Sequence, residues 1–205
     1  MIVEGIVTTL SPDGGVHIAP MGPEVDADLQ QLILKPYQTS HTYQNLVRHP
    51  EGVFHITDDV LLLAQAAIGQ IDPVPAVAAC SRIRGSYLCD ACRYFEFRVL
   101  SNDAIQARTR LQAEVLFQGR LRDFLGFNRG KHAVVEAAIL ATRMHILPLD
   151  EIGREFDRLE VLVAKTGGPF EEEAFRLLRG HLDSALKAKA SGGTGQPLAP
   201  QGGHI

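Results

Sequence analysis

A small, mainly β barrel with α-helices, ending in a helical extension, is the fold this sequence predicts, and three observations carry it. Short runs of β-branched and aromatic residues, divided by turn residues, recur from Ile2 to Gln118. Beyond Gly130 the apolar residues fall at helical spacing instead. With 205 residues, 45% hydrophobic and 21% charged, the chain can bury one substantial core and an appended layer.

Ile2 to Leu10 is rich in β-branched residues, Ser11-Pro12-Asp13-Gly14-Gly15 supplies turn chemistry, and Val16 to Met21 resumes the extended pattern, so the chain opens on a hairpin. Leu29 to Lys35 reads as a third strand. After Pro36, Thr42 to His49 places Tyr43, Leu46 and Val47 at helical spacing, with Ser40 or Thr42 positioned to cap it and Pro50 and Gly52 to end it. Val53 to Thr57 is a short strand, and Asp58-Asp59 begin a helix whose apolar surface is Leu61, Leu62, Ala64 and Ile68. Tyr94 to Leu100 and Ile105 to Phe117 read as strands divided by the turn Ser101-Asn102-Asp103. In the second of them Ile105, Ala107, Thr109 and Leu111 alternate with polar residues. Six or seven strands result, enough for a small barrel. Helices are expected over Lys131 to Ile146, Asp150 to Lys165 and Glu171 to Ala190. The domain reading is therefore a barrel over 1–127, a helical extension over 128–190, and a disordered Gly/Pro/Gln tail over 191–205.

Composition narrows the function classes. The net charge of −4 and the lack of a dense Lys/Arg face argue against nucleic acid, whose binding is dominated by cation contacts to phosphates. No apolar stretch reaches the length of a membrane span, and the chain opens directly into strand-like sequence, so a cytoplasmic protein without membrane association is expected. Cys80, Cys89 and Cys92 form an odd set. Cys89-Asp90-Ala91-Cys92 has CxxC spacing but no second pair to complete a metal site, and it leads into a strand rather than a helix, so all three read as bystander thiols and no metal is expected.

Two segments carry chemistry. Ala19-Pro20-Met21-Gly22 offers small side chains and a proline that interrupts strand pairing, which frees main-chain groups to face the edge of a flat heterocycle. Tyr37 to Leu46 concentrates Thr39, Ser40, Thr42 and Asn45 at a helix start, where unsatisfied N–H groups and partial positive charge suit a phosphate. Plain capping accounts for one of Ser40 or Thr42; a bound phosphate accounts for the density of them, with Lys35 as a nearby charge. His17 and His41 lie close by and receive no assigned chemistry. Glu136 and Arg143, seven apart, read as one helix face pointing to a ligand or an interface.

Taken together, Glu4-Gly5-Ile6-Val7-Thr8-Thr9, His17 to Gly22, Tyr37 to Leu46, Asp58-Asp59 and Gly126-Phe127-Asn128-Arg129 to Arg143, in that order, resemble the FMN-binding split-barrel superfamily. More narrowly, the chain resembles the uncharacterised flavoprotein-like family known as domain of unknown function four-four-seven. The resemblance spans residues 1 to about 185. It implies a six-stranded Greek-key split barrel with flanking helices, and a homodimer with FMN sites at the subunit interface. Carried onto this chain, it places the ring against Ala19, Pro20, Met21 and Gly22, with Tyr37, Ser40, Thr42 and Asn45 as further cofactor-binding residues, the last three at the phosphate. Related proteins often carry Arg or Lys in the phosphate segment, where this chain has Gln38 and His41. No catalytic residue is assigned, because flavin chemistry needs none.

Three functions follow as alternatives: an FMN-dependent oxidoreductase acting on a small molecule in pterin-linked one-carbon metabolism, a split barrel binding a deazaflavin or pterin, and a non-catalytic dimeric binding module.

Overall fold

The structure, a computed structural model, describes residues 1–191, so the expected tail lies outside the described residues except for Ser191, which ends the last helix. The described residues form two compact units, one of Met1–Asp58 and Asp72–Phe124, the other of Asp59–Ile71 and residues 125–191. The division by sequence had placed Asp59–Ile71 within the barrel domain. The structure groups it with the C-terminal helices, because the apolar helix it forms packs on two of them.

The first unit contains β1 (Gly5–Leu10), β2 (Val16–Met21), β3 (Glu24–Val25), β4 (Gln31–Leu34), α1 (His41–Arg48) and β5 (Glu51–Ile56). After Asp72 it resumes as β6 (Val77–Ala79), β7 (Ser86–Leu88), β8 (Arg93–Asp103) and β9 (Arg110–Arg120). Seven strands form an antiparallel sheet in the order β2-β1-β5-β8-β9-β4-β3, and β6 pairs with β7. The lead-in to β1 then lies beside β3: Val3 N donates to Pro23 O, Val25 N donates to Met1 O, and Ile2 bridges Glu24. These contacts close β1-β5-β8-β9-β4-β3 into the six-stranded ring expected, with β2 left as an edge strand. The interior is filled by Val7, Leu32, Leu34, Phe54, Phe95, Phe97 and Leu111, and α1 adds Leu46 to it.

The two-residue β3 is too short to leave a periodic signal, and the β8–β9 turn falls later than expected. β8 runs through Ser101-Asn102-Asp103, and Ile105, read as a buried strand residue, is exposed. The reason is tertiary. Gln38 Nε2 donates to the carbonyls of Ala104 (2.8 Å) and Gln106 (2.9 Å), and Gln38 N donates to Ala107 O (3.0 Å), which holds residues 104–107 as a loop.

The outward row of β1, β5 and β8 is also buried, and it is partly polar. Thr8 Oγ1 donates to Ser86 O (2.7 Å), Leu88 N donates to His55 Nε2 (3.0 Å), and Glu96 accepts from Ser81 N (2.9 Å) and Arg82 N (2.7 Å). Three pegs thus fasten the 80–88 excursion to the outside of the ring. Because Leu88 N–H donates to Nε2, the His55 proton must sit on Nδ1, which lies 3.1 Å from Ile6 O and donates to it. Burial and the Glu96 and Glu51 carboxylates push Cys80 up to about 12, burial raises Cys92, and all three cysteines are free.

The second unit contains α2 (Val60–Ala67), α3 (Arg129–Thr142), α4 (Leu149–Thr166) and α5 (Pro169–Ala190). Asp59 caps α2 and Asn128 caps α3, each accepting from the main-chain N–H three residues on at 2.9 Å. Ala133, Ala137, Ala138 and Ala141 are buried along α3, so neighbouring helices approach closely. Helix α3 stops at Thr142, which puts Arg143 beyond its end. Arg143 is the C-cap of α3, and Glu136 meets His132 (3.7 Å). No helix among the described residues is long and apolar enough to cross a membrane.

Burial lowers His55 from 6.5 to about 4, because the charged ring has no water around it. A base whose folded pKa is depressed contributes stability in full above pH 6.5, and loses it as the pH falls towards 4. Urea denaturation between pH 7.5 and pH 4.5 should therefore show a fall of up to about 3 kcal/mol from this ring. His55→Gln should be less stable at pH 7.5 and show a shallower acid slope; an unchanged slope would place the acid sensitivity elsewhere.

Candidate functional site

Helix α1 begins at Ser40, whose extended backbone and hydroxyl make it the N-cap: Ser40 Oγ accepts from Tyr43 N (3.2 Å) and donates to Tyr37 O (2.7 Å). The N–H groups of His41 and Thr42 precede the first intrahelical bond and point out of the helix start, as the first-turn donors of any helix do. The loop before α1 is tied down from a distance. Thr109 Oγ1 donates to Pro36 O (2.8 Å), Arg108 Nε donates to Lys35 O (3.0 Å), and Tyr37 bridges Arg108.

Beneath α1 the inward row of the first hairpin turns from apolar to polar. Met21 pairs with Gly5, Ala19 with Val7, and His17 with Thr9. Asn45 Nδ2 donates to Thr9 Oγ1 (3.0 Å), which seats α1 on this end of the hairpin. The rings of His17 and His41 stand 5.5 Å apart. Two buried polar atoms here have no partner among the described residues: Thr42 Oγ1 and His17 Nε2. Thr42 is fully buried. A buried hydroxyl left unbonded costs roughly 1–3 kcal/mol, so such atoms are rare and mark a missing partner. Burial, then the charge of His41, lowers His17 to about 4, so it is a neutral ring at pH 7.

The residues predicted for the phosphate therefore fall into two kinds. Ser40 and Asn45 are buried at the helix start, but the Ser40 hydroxyl and the Asn45 amide already serve the protein, whereas the Thr42 hydroxyl serves nothing. Tyr37 is half-buried beneath the Arg108 guanidinium, 5.8 Å from its ring centre. Ala19, Pro20 and Met21 are buried and Gly22 half-buried, on the strand that ends the sheet, so the outer main-chain edge of β2 has no strand beside it. Pro20 suits an edge strand because it lacks the N–H an inner strand would need. Lys35, expected as the nearby charge, is instead ion-paired to Glu24, which Arg110 also approaches at 3.7 Å.

Three further residues near the site were given no role in it from the sequence. Thr9 seats Asn45; Arg108 brings a guanidinium to Tyr37; and the Glu4 carboxylate lies where a side chain on Gly22 would go, 2.6 Å from that position. Only Thr9 left a local signal, as a hydroxyl at the end of an apolar strand.

Two family models match the chain: the N-terminal domain of a protein of unknown function, DUF447, over residues 3–120, and the second part of the same family over residues 128–180. The chain belongs to the DUF447 family. The motif order read from the sequence had implied this membership. Among solved structures, this DUF447 chain is similar to the FMN-bound DUF447 protein MM1853 from Methanosarcina mazei. The identity is 21%, over 88% of this chain and 94% of that one, with a TM-score of 0.74. It is also similar to nitrilotriacetate monooxygenase component B from Mycobacterium thermoresistibile, at 11% identity over 59% of this chain and 70% of that one, with a TM-score of 0.50. At these identities the likeness is one of fold, and it agrees with the split barrel expected.

The two hydroxyls at the start of α1 should separate cleanly in ligand-free protein. Ser40→Ala loses a working cap and should cost about 1 kcal/mol in urea denaturation. Thr42→Val removes a hydroxyl without a partner at nearly constant shape, so stability should stay level or rise; a loss as large as that of Ser40→Ala would mean Thr42 is bonded within the fold.

Proposed function

We propose that this chain is an FMN-binding flavoprotein, an oxidoreductase acting on a small molecule, and that it works as a homodimer with the flavin at the subunit interface. The observation that carries the reading is the buried, unpartnered Thr42 hydroxyl at the start of α1. Its support is a DUF447 relative of the same fold that is FMN-bound.

The residues present fit the group. Thr42 Oγ1 and the N–H groups of His41 and Thr42 are donors suited to the phosphate, and the positive end of α1 favours its charge. Ser40 and Asn45 act one step back: the first fixes the helix start, the second anchors the helix to Thr9. The open main-chain edge of β2, from Ala19 to Gly22, would take the polar rim of the ring. When bound, FMN supplies reversible hydride and electron transfer at its ring system, so no side chain needs to act as nucleophile. The apolar packing of Ala19, Pro20 and Met21 keeps water from the strand behind the ring.

The dimer reading is supported by exposed apolar side chains between β9 and α3: Leu121, Phe124, Leu125 and Phe127, the last fully exposed. The free thiols fit a reducing compartment such as the cytoplasm.

Purified protein should carry a yellow, protein-bound chromophore or take up added FMN with quenching of flavin fluorescence. Thr42→Val should weaken FMN about 10- to 100-fold, the loss of one hydrogen bond to a charged group, while Thr42→Ser keeps most of the affinity. A colourless protein that ignores FMN but binds a deazaflavin or a pterin would replace the cofactor, and unchanged affinity in Thr42→Val would move the phosphate. Phe127→Glu should shift the chain towards monomer in sedimentation equilibrium and weaken FMN in parallel; a dimer that persists would remove this segment from the interface.

A further inference from the structure

We infer that His17 reads the phosphate: its Nε2 donates to an oxygen of a phosphate monoester seated at the start of α1, and so sets the preference for a phosphorylated ligand over the corresponding alcohol. The inference rests on the flavin reading for the identity of the ligand, and on this chain's own atoms for the site.

His17 Nε2 is buried without a partner, and so is Thr42 Oγ1. His17 stands opposite Thr9 in the hairpin, Thr9 accepts from Asn45 one turn into α1, and the His17 ring lies 5.5 Å from that of His41, the first residue of the helix. One helix start therefore gathers an imidazole, a hydroxyl and the first-turn N–H groups, all able to donate. No carboxylate acts on His17 among the described residues; burial and His41 are what influence it. Donors gathered without an acceptor suit an anion with several oxygens, and a tetrahedral phosphate accepts from several directions at once. A single water would satisfy one or two of these atoms but must donate as well as accept.

This goes beyond a role for the helix start alone. Helix N–H groups and Thr42 favour any acceptor, whereas an imidazole reaching in from the strand beneath is lost on an unphosphorylated ligand. His17 is thus a specificity residue, and no step of electron transfer depends on it.

The test compares FMN with riboflavin on the intact chain, by fluorescence titration, in wild type, His17→Leu and His17→Gln. Thermal melts confirm folding, and inorganic phosphate serves as a separate probe of the His17 imidazole nitrogen resonances. His17→Leu should weaken FMN about 10- to 100-fold and leave riboflavin unchanged, and His17→Gln, which keeps a donor, should recover most of the difference. If FMN and riboflavin weaken equally, or neither weakens, the inference is overturned while the flavin reading stands. If wild type ignores FMN yet inorganic phosphate shifts the His17 resonances, the flavin reading fails and the anion role of His17 is upheld. If phosphate leaves those resonances unmoved and FMN does not bind, both are overturned. Should His17→Leu fail to fold, the FMN-to-riboflavin ratio in His17→Gln against His17→Asn decides, with a ratio independent of side-chain reach counting against the inference.

Discussion

A polar group taken out of water must find a partner, and this constraint orders most of the barrel unit. Thr8, His55 and Glu96 are buried on the outside of the ring, and each is bonded to main chain of the 80–88 excursion. The excursion has little regular structure of its own, only the short β6 and β7 pair. Its position is held by those three side chains, by Glu51 and His49 on the main chain of Arg84, and by the apolar contacts of Ile83. Where the same constraint is left unmet, at Thr42 and His17, the structure departs from what a finished core would do. The two atoms are not scattered: Thr42 lies in the first turn of α1, and His17, on β2, has its ring 5.5 Å from that of His41.

The start of α1 is held from two sides. From below, Asn45 binds Thr9 on β1; from the flank, the β8–β9 loop binds Lys35, Pro36 and Gln38 through main-chain and side-chain bonds. Ordering donors in advance removes part of the entropy a ligand would otherwise have to overcome. It also explains why hydroxyls that look equivalent in sequence are not. The Ser40 hydroxyl caps the helix and the Asn45 amide anchors it, while the buried Thr42 hydroxyl has no partner among the described residues.

The helical unit rests on different forces. Alanines along α3 let its neighbours approach, Lys131 pairs with Glu171 at 2.7 Å, and Glu171 also accepts from Gly168 N at 2.8 Å, joining the starts of α3 and α5. Arg179 lies over Phe156 and Phe175 while reaching Asp157 and Glu160, so its stem packs and its charge stays half in water. None of these residues belongs to the site proposed above.

Much was legible from local pattern. The first hairpin, the capped helix after Pro36, the strand after it, and four helices follow from alternation, helical spacing and capping residues, all properties of neighbours in the chain. Family membership was legible for the same reason, since it rests on motif order. What the sequence could not determine was the partner of each polar side chain. Asn45 meets Thr9 thirty-six positions away, Gln38 meets residues more than sixty positions on, and Lys35 is taken by Glu24. A hydrogen bond depends on distance in space, and spacing along the chain says nothing of it once the strands have closed into a ring. The sequence by itself therefore determined a barrel with helices and a hydroxyl-rich helix start. Only the tertiary structure decided which of those hydroxyls was used by the fold and which was buried without a partner.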